Sequence, residues 1–273
     1  MQSDPEFEAV RQITDPLAQA RAAGELIGVY QQRSTELSRI RKEAMNAAVA
    51  QRGITFTELA KELGLTKGRV SQIRSSAPPT ERGLFGVGPL TIAIPQRTLS
   101  ERPEGVISAH DTAAADHLQT YLESLSFRTS RYLIPTTGAW TPPEDAVAIC
   151  GPKSSHVTAD AIAADPFLDF APDAQGVWTL RGRDGGEFVS PLDRAKPDAD
   201  IAYIARLPYQ GGRMFVIAGV HALGSVGAVD YLAKNARAIY DQVGDEPFSM
   251  IVGSTYDGAE VTHSEALWGP KTH

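Results

Sequence analysis

The sequence predicts an α + α/β chain of two domains. An amino-terminal helical bundle with a helix-turn-helix (residues 1–76) is followed by a linker (77–88) and an open α/β sheet (89–273), mostly parallel with a mixed edge allowed. Three observations predict it. Between Asp15 and Arg74 apolar residues recur at helical spacing. The stretch Ser75–Gly88, SSAPPTERGLFGVG, then gathers two serines, two prolines and three glycines in fourteen residues, the composition of a boundary. Past it, short apolar β-rich runs alternate with helical patterns, as in a sheet covered on both faces.

Met1–Thr14 is polar and frayed, with a helix from Pro5. Asp15-Pro16 starts the next helix, with Asp15 as cap and proline in the first turn. Leu17, Ala20, Leu26, Ile27 and Tyr30 form its stripe to about Gln32. A further helix is expected from about Thr35 to Ala50, with Leu37, Ile40, Ala44, Ala47 and Ala48 inward. Arg33, Arg39, Arg41 and Lys42 fall outside that stripe, where they meet solvent or phosphates. Residues 15–76 thus read as about four helices, the first two supporting the last two.

Ile54–Arg74, ITFTELAKELGLTKGRVSQIR, supplies those last two. Ile54, Leu59, Ala60 and Leu63 define the buried face of the first. Gly64 stands where the chain must turn left-handed, and Thr66 caps the second helix from Lys67. Val70 and Ile73 face inward, leaving Lys67, Arg69, Ser71, Gln72 and Arg74 outward, able to reach phosphates and base edges. The run ELAKELGLTKGRVSQI resembles the helix-turn-helix of region 4 of sigma-70 family RNA polymerase sigma factors. The resemblance covers about 25 residues, or about 70 with the preceding helices. It implies double-stranded DNA as partner, admits a contact with RNA polymerase, and places Lys67, Arg69, Ser71 and Gln72 at positions that approach the promoter. Two departures set the chain apart from that family: Gly68 replaces a usually acidic residue and Ser71 a usually basic one.

The formal net charge of −7 divides unevenly. Residues 1–76 hold eleven Lys or Arg against nine Asp or Glu, and the remainder fifteen against twenty-four. A small, weakly basic head on an acidic body is the pattern of a DNA binder that acts in pairs, so a homodimer is expected. Cys150 is the single cysteine, which excludes a disulfide framework and a thiolate metal cluster. Its apolar run reads as an inert core position, with redox sensing as the alternative. The six histidines show no short ligand spacing, and neither a metal nor a cofactor is expected. No apolar run reaches the ~18 residues of a membrane span and the amino terminus lacks a signal pattern, so the expected location is cytoplasmic.

In the body, strands are expected at Leu90–Pro95, Thr129–Pro135, Asp145–Gly151, Ile201–Arg206, Arg213–Val220 and Phe248–Ser254, with a polar tail after the last. Helices are expected at about Ser108–Ser126, Val157–Ala164 and Ser225–Val243, and a hairpin at Gly176–Arg181 with Glu187–Val189. Two strand-to-helix junctions, AICGPKSSHVTADAIAA and FVIAGVHALGSVGAVDYL, stand where an open sheet binds ligands. Lys153, Ser154, Ser155 and His156 at one, and His221, Gly224 and Ser225 at the other, with Arg97 at the same edge, can hold a phosphate or carboxylate. Neither junction carries a Walker or dinucleotide fingerprint, and turn-making glycines with helix-capping serines are the competing explanation. Asp111 and Asp116 are weaker acid or base candidates. Trp140, Trp178 and Trp268 read as packing residues.

The expected function is a DNA-binding transcriptional regulator whose α/β domain senses a small anionic or nucleotide-like ligand. Two alternatives remain at this point. The body is a nucleotide- or nucleoside-processing enzyme with a DNA-binding head, or it is only a dimerisation platform. A cleft holding Lys153, His221 and a carboxylate would favour the enzyme.

Overall fold

A computed structural model describes residues 4–100, 102–210 and 212–273, so Met1–Ser3 of the polar start lie outside the described residues. Helix α1 (Pro5–Arg11) is capped by Asp4 and folds back along α2 (Pro16–Arg52). α2 is one helix of 37 residues, about 55 Å long, where two were expected. The expected break at Arg33–Thr35 rested on a shift in the apolar stripe, but the stripe that is buried is polar: Gly28, Gln32, Glu36 and Arg39. Between Gly28 and Gly53 no glycine or proline interrupts the helix, and Thr35 bonds back to the Gln31 carbonyl at 2.8 Å. Arg39 binds both Glu36 and Glu43, one turn to either side. Gly53 ends the helix at φ 64°.

α3 (Phe56–Glu62) and α4 (Lys67–Ser76) follow as two short helices around a tight turn. Met45, from the last turns of α2, joins Leu59, Ala60, Val70 and Ile73 in a small core of their own. A 3-10 turn, Thr80–Leu84, leads into the body.

The body is a mixed α/β structure around a seven-stranded sheet. Its strands are β1 (Leu90–Pro95), β4 (Thr129–Ile134), β5 (Asp145–Ile149), β9 (Ala199–Tyr209), β10 (Gly212–Gly219), β11 (Phe248–Asp257) and β12 (Glu260–Thr272). They lie in the order β12-β11-β9-β10-β5-β1-β4. β4, β1, β5 and β10 pair in parallel, while β9, β11 and β12 add antiparallel neighbours. The polar tail expected after Ser254 is therefore the edge strand β12, whose mostly exposed side chains explain its polarity. α5 (Ala109–Ser124) and α7 (Ala222–Val243) cover one face of the sheet. α6 (His156–Ala163) and a small sheet of β6 (Leu168–Pro172), β7 (Trp178–Gly182) and β8 (Glu187–Val189) cover the other. A second hairpin, β2 (Arg97–Leu99) with β3 (Arg102–Val106), sits between β1 and α5.

The stretch expected as a linker is packed. Leu84 and Phe85 belong to the body's main core. Arg206 donates to the carbonyls of Gly83, Leu84, Gly244 and Glu246, which pins the segment down. Arg82 is wholly buried, 3.6 Å over the Phe127 ring, and donates to Leu125, Val87 and Gln32 while facing Glu36 at 3.4 Å. Burial lowers its pKa to about 10, against the pull of Glu36. Arg39 completes the junction with a 2.7 Å bond to Tyr240 of α7. The prolines and glycines of this stretch shape a buried path; they do not loosen it.

Candidate functional site

Two regions gather the residues singled out in the sequence. In the first, local chemistry builds α3 and α4. Thr55 and Glu58 form a reciprocal capping box, with the Glu58 carboxylate accepting from the Thr55 amide at 2.7 Å. That bond holds the Glu58 carboxyl below its ordinary range. Gly64 turns at φ 64°, and Leu65 donates back to Ala60 at 2.8 Å. Thr66 then caps α4 by accepting from the Arg69 amide at 3.1 Å. Val70 and Ile73 are spent on the core, so Lys67, Arg69, Ser71 and Gln72 all point to solvent. Arg69 donates to the Gln72 side chain at 2.8 Å, pairing two of the expected base readers on one face. Arg74 sits differently. Its guanidinium lies 3.7 Å over Phe56 and bonds Asn46 at 3.1 Å, which ties α4 to α3 and α2. Arg39, weighed as a phosphate contact, is buried against Tyr240 and unavailable.

The second region lies beyond the carboxyl ends of β1, β5 and β10. β1 leads to α5 on one face of the sheet and its neighbour β5 leads to α6 on the other. The chain parts there, and a crevice opens, as open α/β sheets require. A cavity of about 110 Å³ is lined by Arg97, Asp111, Cys150, Lys153, Ser154, Trp178, His221 and Ser225, among others. A wider groove of about 520 Å³ shares Arg97, Lys153 and Ser154 and runs on past Thr98, Thr136, Gly138, Ser155 and His156. The two expected junctions and Arg97 are thereby brought to one place.

Not every expected residue is free there. Gly224 does not line the cavity. Its amide donates at 2.7 Å to Asp200, which also accepts from the His221 amide. The start of α7 is thus closed by a carboxylate from the chain itself, held in turn by Ser190 at 2.6 Å. A Cβ on Gly224 would lie 2.5 Å from the Ile201 carbonyl, so close packing against β9 demands glycine. Ser155 is consumed as the α6 cap and as a donor to the Gly138 carbonyl at 2.9 Å. Ser225 lines the cavity and accepts from the Gly219 amide at 3.1 Å.

Charge inside the cleft is partly answered. Arg97 meets Asp111 at 2.7 Å, and burial pushes the Asp111 carboxyl above its ordinary range against that pull. His221 Nε2 lies 3.0 Å from Asp193 Oδ1. Burial pushes the Cys150 thiol up to about 12, which makes it a core thiol with little thiolate. Among the described residues no carboxylate lies within ion-pair distance of Lys153. The cavity has about the volume of one small polar group, and the groove beside it is several times larger. Among the described residues no cluster of ligating side chains could hold a metal ion. Asp193 and Asp200 went unread in the sequence because each reaches the site across the fold from a segment with no motif of its own. No family model, curated protein or solved structure matches this chain.

Proposed function

We propose that the chain is a cytoplasmic DNA-binding transcriptional regulator. The last turns of α2 with α3 and α4 form a helical-bundle head that lays α4 in a major groove, and the α/β body senses a small anionic or nucleotide-like ligand in the cleft. One observation carries the reading. Lys67, Arg69, Ser71 and Gln72 all stand exposed on α4 while Val70, Ile73 and Arg74 pack it against α2 and α3. In that groove Lys67 meets phosphates, Arg69 suits guanine and Gln72 suits adenine. Arg74 supports the helix from behind. Selection from a random duplex pool tests this directly: recovery of a discrete motif is expected, and a pool without enrichment would overturn it. For the body, thermal-shift measurement with inorganic phosphate and nucleoside monophosphates should show stabilisation that Lys153→Ala removes.

A second reading is favoured by the cleft's own lining, which holds Lys153, His221 and the carboxylate of Asp111, the set that favours an enzyme, with Asp193 3.0 Å from His221. A histidine steadied by a carboxylate is equipped as a general base, which would make the cleft that of a nucleotide-processing enzyme. Slow turnover of a nucleoside phosphate, abolished by His221→Asn, would favour it over sensing alone.

A further inference from the structure

The outward face of α2 is not finished by this chain. Gly28, Gln32, Glu36 and Arg39 face the body, yet Leu37 and Ile40 on the other side are 65% and 46% exposed. Two to three turns earlier on that outward side, α1 and α2 leave an apolar groove of about 500 Å³ lined by Phe7, Val10, Leu26, Ile27 and Tyr30. Phe7 and Ile27 remain 47% and 57% exposed within it. The face therefore carries a hollow and a pair of knobs about ten residues, or about 15 Å, apart on one straight helix.

We infer that this face binds a second copy of the chain, with the two α2 helices antiparallel. A hollow and a knob on the same surface complement each other under a two-fold axis, since each copy fills the other's groove with its own Leu37 and Ile40. The axis passes near Arg33–Ser34, midway between groove and knobs. The seam from Leu17 to Ala47 is about 45 Å long and, with α1 beside it, roughly 15–20 Å wide. That is on the order of 800 Å² per partner, which matches a standard stable interface. The geometry also sets the heads. Met45, in the core beneath α3 and α4, lies eleven to twelve residues from the axis, about 17 Å along α2. Two heads then stand about 35 Å apart along the helices, one turn of B-DNA. This last step rests on the DNA-binding reading; the dimer itself does not.

Sedimentation velocity on the full chain tests the interface. A dimer at micromolar concentration is expected, and Leu37→Glu with Ile40→Glu should give a monomer that melts within a few degrees of the parent, because both side chains are already exposed. A monomeric parent, or a double variant that stays dimeric, would overturn the inference. The register has its own test. Cys150 is buried, so Ser34→Cys, beside the axis, should cross-link between copies under mild oxidant, and Ala50→Cys should not. Equal cross-linking at both positions would refute the antiparallel seam. A dimer that ignores DNA leaves the seam standing and removes the DNA reading. A monomer that binds DNA does the opposite.

Discussion

Arg69 on α4 and Arg97 in the cleft are treated in opposite ways. On α4, Lys67 and Arg69 have no carboxylate within ion-pair distance among the described residues; Arg69 touches only the neutral Gln72. In the cleft, Arg97 is answered by Asp111, His221 is hydrogen-bonded to Asp193, and the start of α7 is closed by Asp200. The difference separates two kinds of charge. A charge answered inside the chain fixes geometry and tunes what a ligand will meet, whereas an exposed charge with no internal partner is free to meet an outside one. The junction at Arg82 is the limiting case of the first kind, fully buried and fully structural.

That contrast can be broken from its structural end. Arg82→Met should leave the Leu125 and Val87 carbonyls and the Gln32 side chain without their buried donor, and Glu36 with Arg39 alone, and cost roughly 3–5 kcal/mol, read by denaturant unfolding. A loss under 1 kcal/mol would mean the junction is not held by this charge. Gly224→Ala comes next, expected to cost about 1–3 kcal/mol as its Cβ meets the Ile201 carbonyl and the Asp200 cap. Calorimetry that found it neutral would reopen the start of α7 as a ligand site.

Smaller effects sharpen the cleft. Lys153→Ala should weaken phosphate or nucleotide binding about ten- to a hundredfold, since a hydrogen bond to a charged group contributes roughly 1.5–3 kcal/mol. Asp111 gives the pH dependence. Its raised carboxyl takes up a proton more readily in the folded chain than in the unfolded one. Its contribution to stability is therefore complete below the unfolded aspartate pKa and fades as pH rises through the folded value. In the same window, protonation on acidification frees Arg97, so anion affinity should rise as pH falls. Asp111→Asn should fix the high-affinity state and flatten the profile, as titration calorimetry across pH would show.

Much of this was readable in the sequence, and the exceptions share a cause. Thr55, Gly64 and Thr66 mark the ends of α3 and α4 through contacts within a few residues, so a local reading finds them. Arg97, Lys153, His221 and Ser225 fell to one cleft because strand ends in an open sheet are brought together by topology alone. What escaped depends on distant partners. α2 buries a polar stripe, which hydrophobic periodicity does not detect, and its Arg39 is satisfied by Tyr240 some two hundred residues on. β12 reads as a polar tail because its edge position leaves it exposed. Asp200 closes α7 from β9, so Gly224 looked open when it was already occupied.

The proposed reading of DNA by the exposed face of α4 turns on Arg69 and Gln72. Fluorescence anisotropy on the duplex recovered by selection, at one fixed salt concentration, compares the parent with Arg69→Ala/Gln72→Ala most directly. Two base contacts of roughly 1–3 kcal/mol each predict a loss of about hundredfold or more in specific affinity, with little change in the unfolding midpoint. An unchanged isotherm from a folded double variant would contradict the claim.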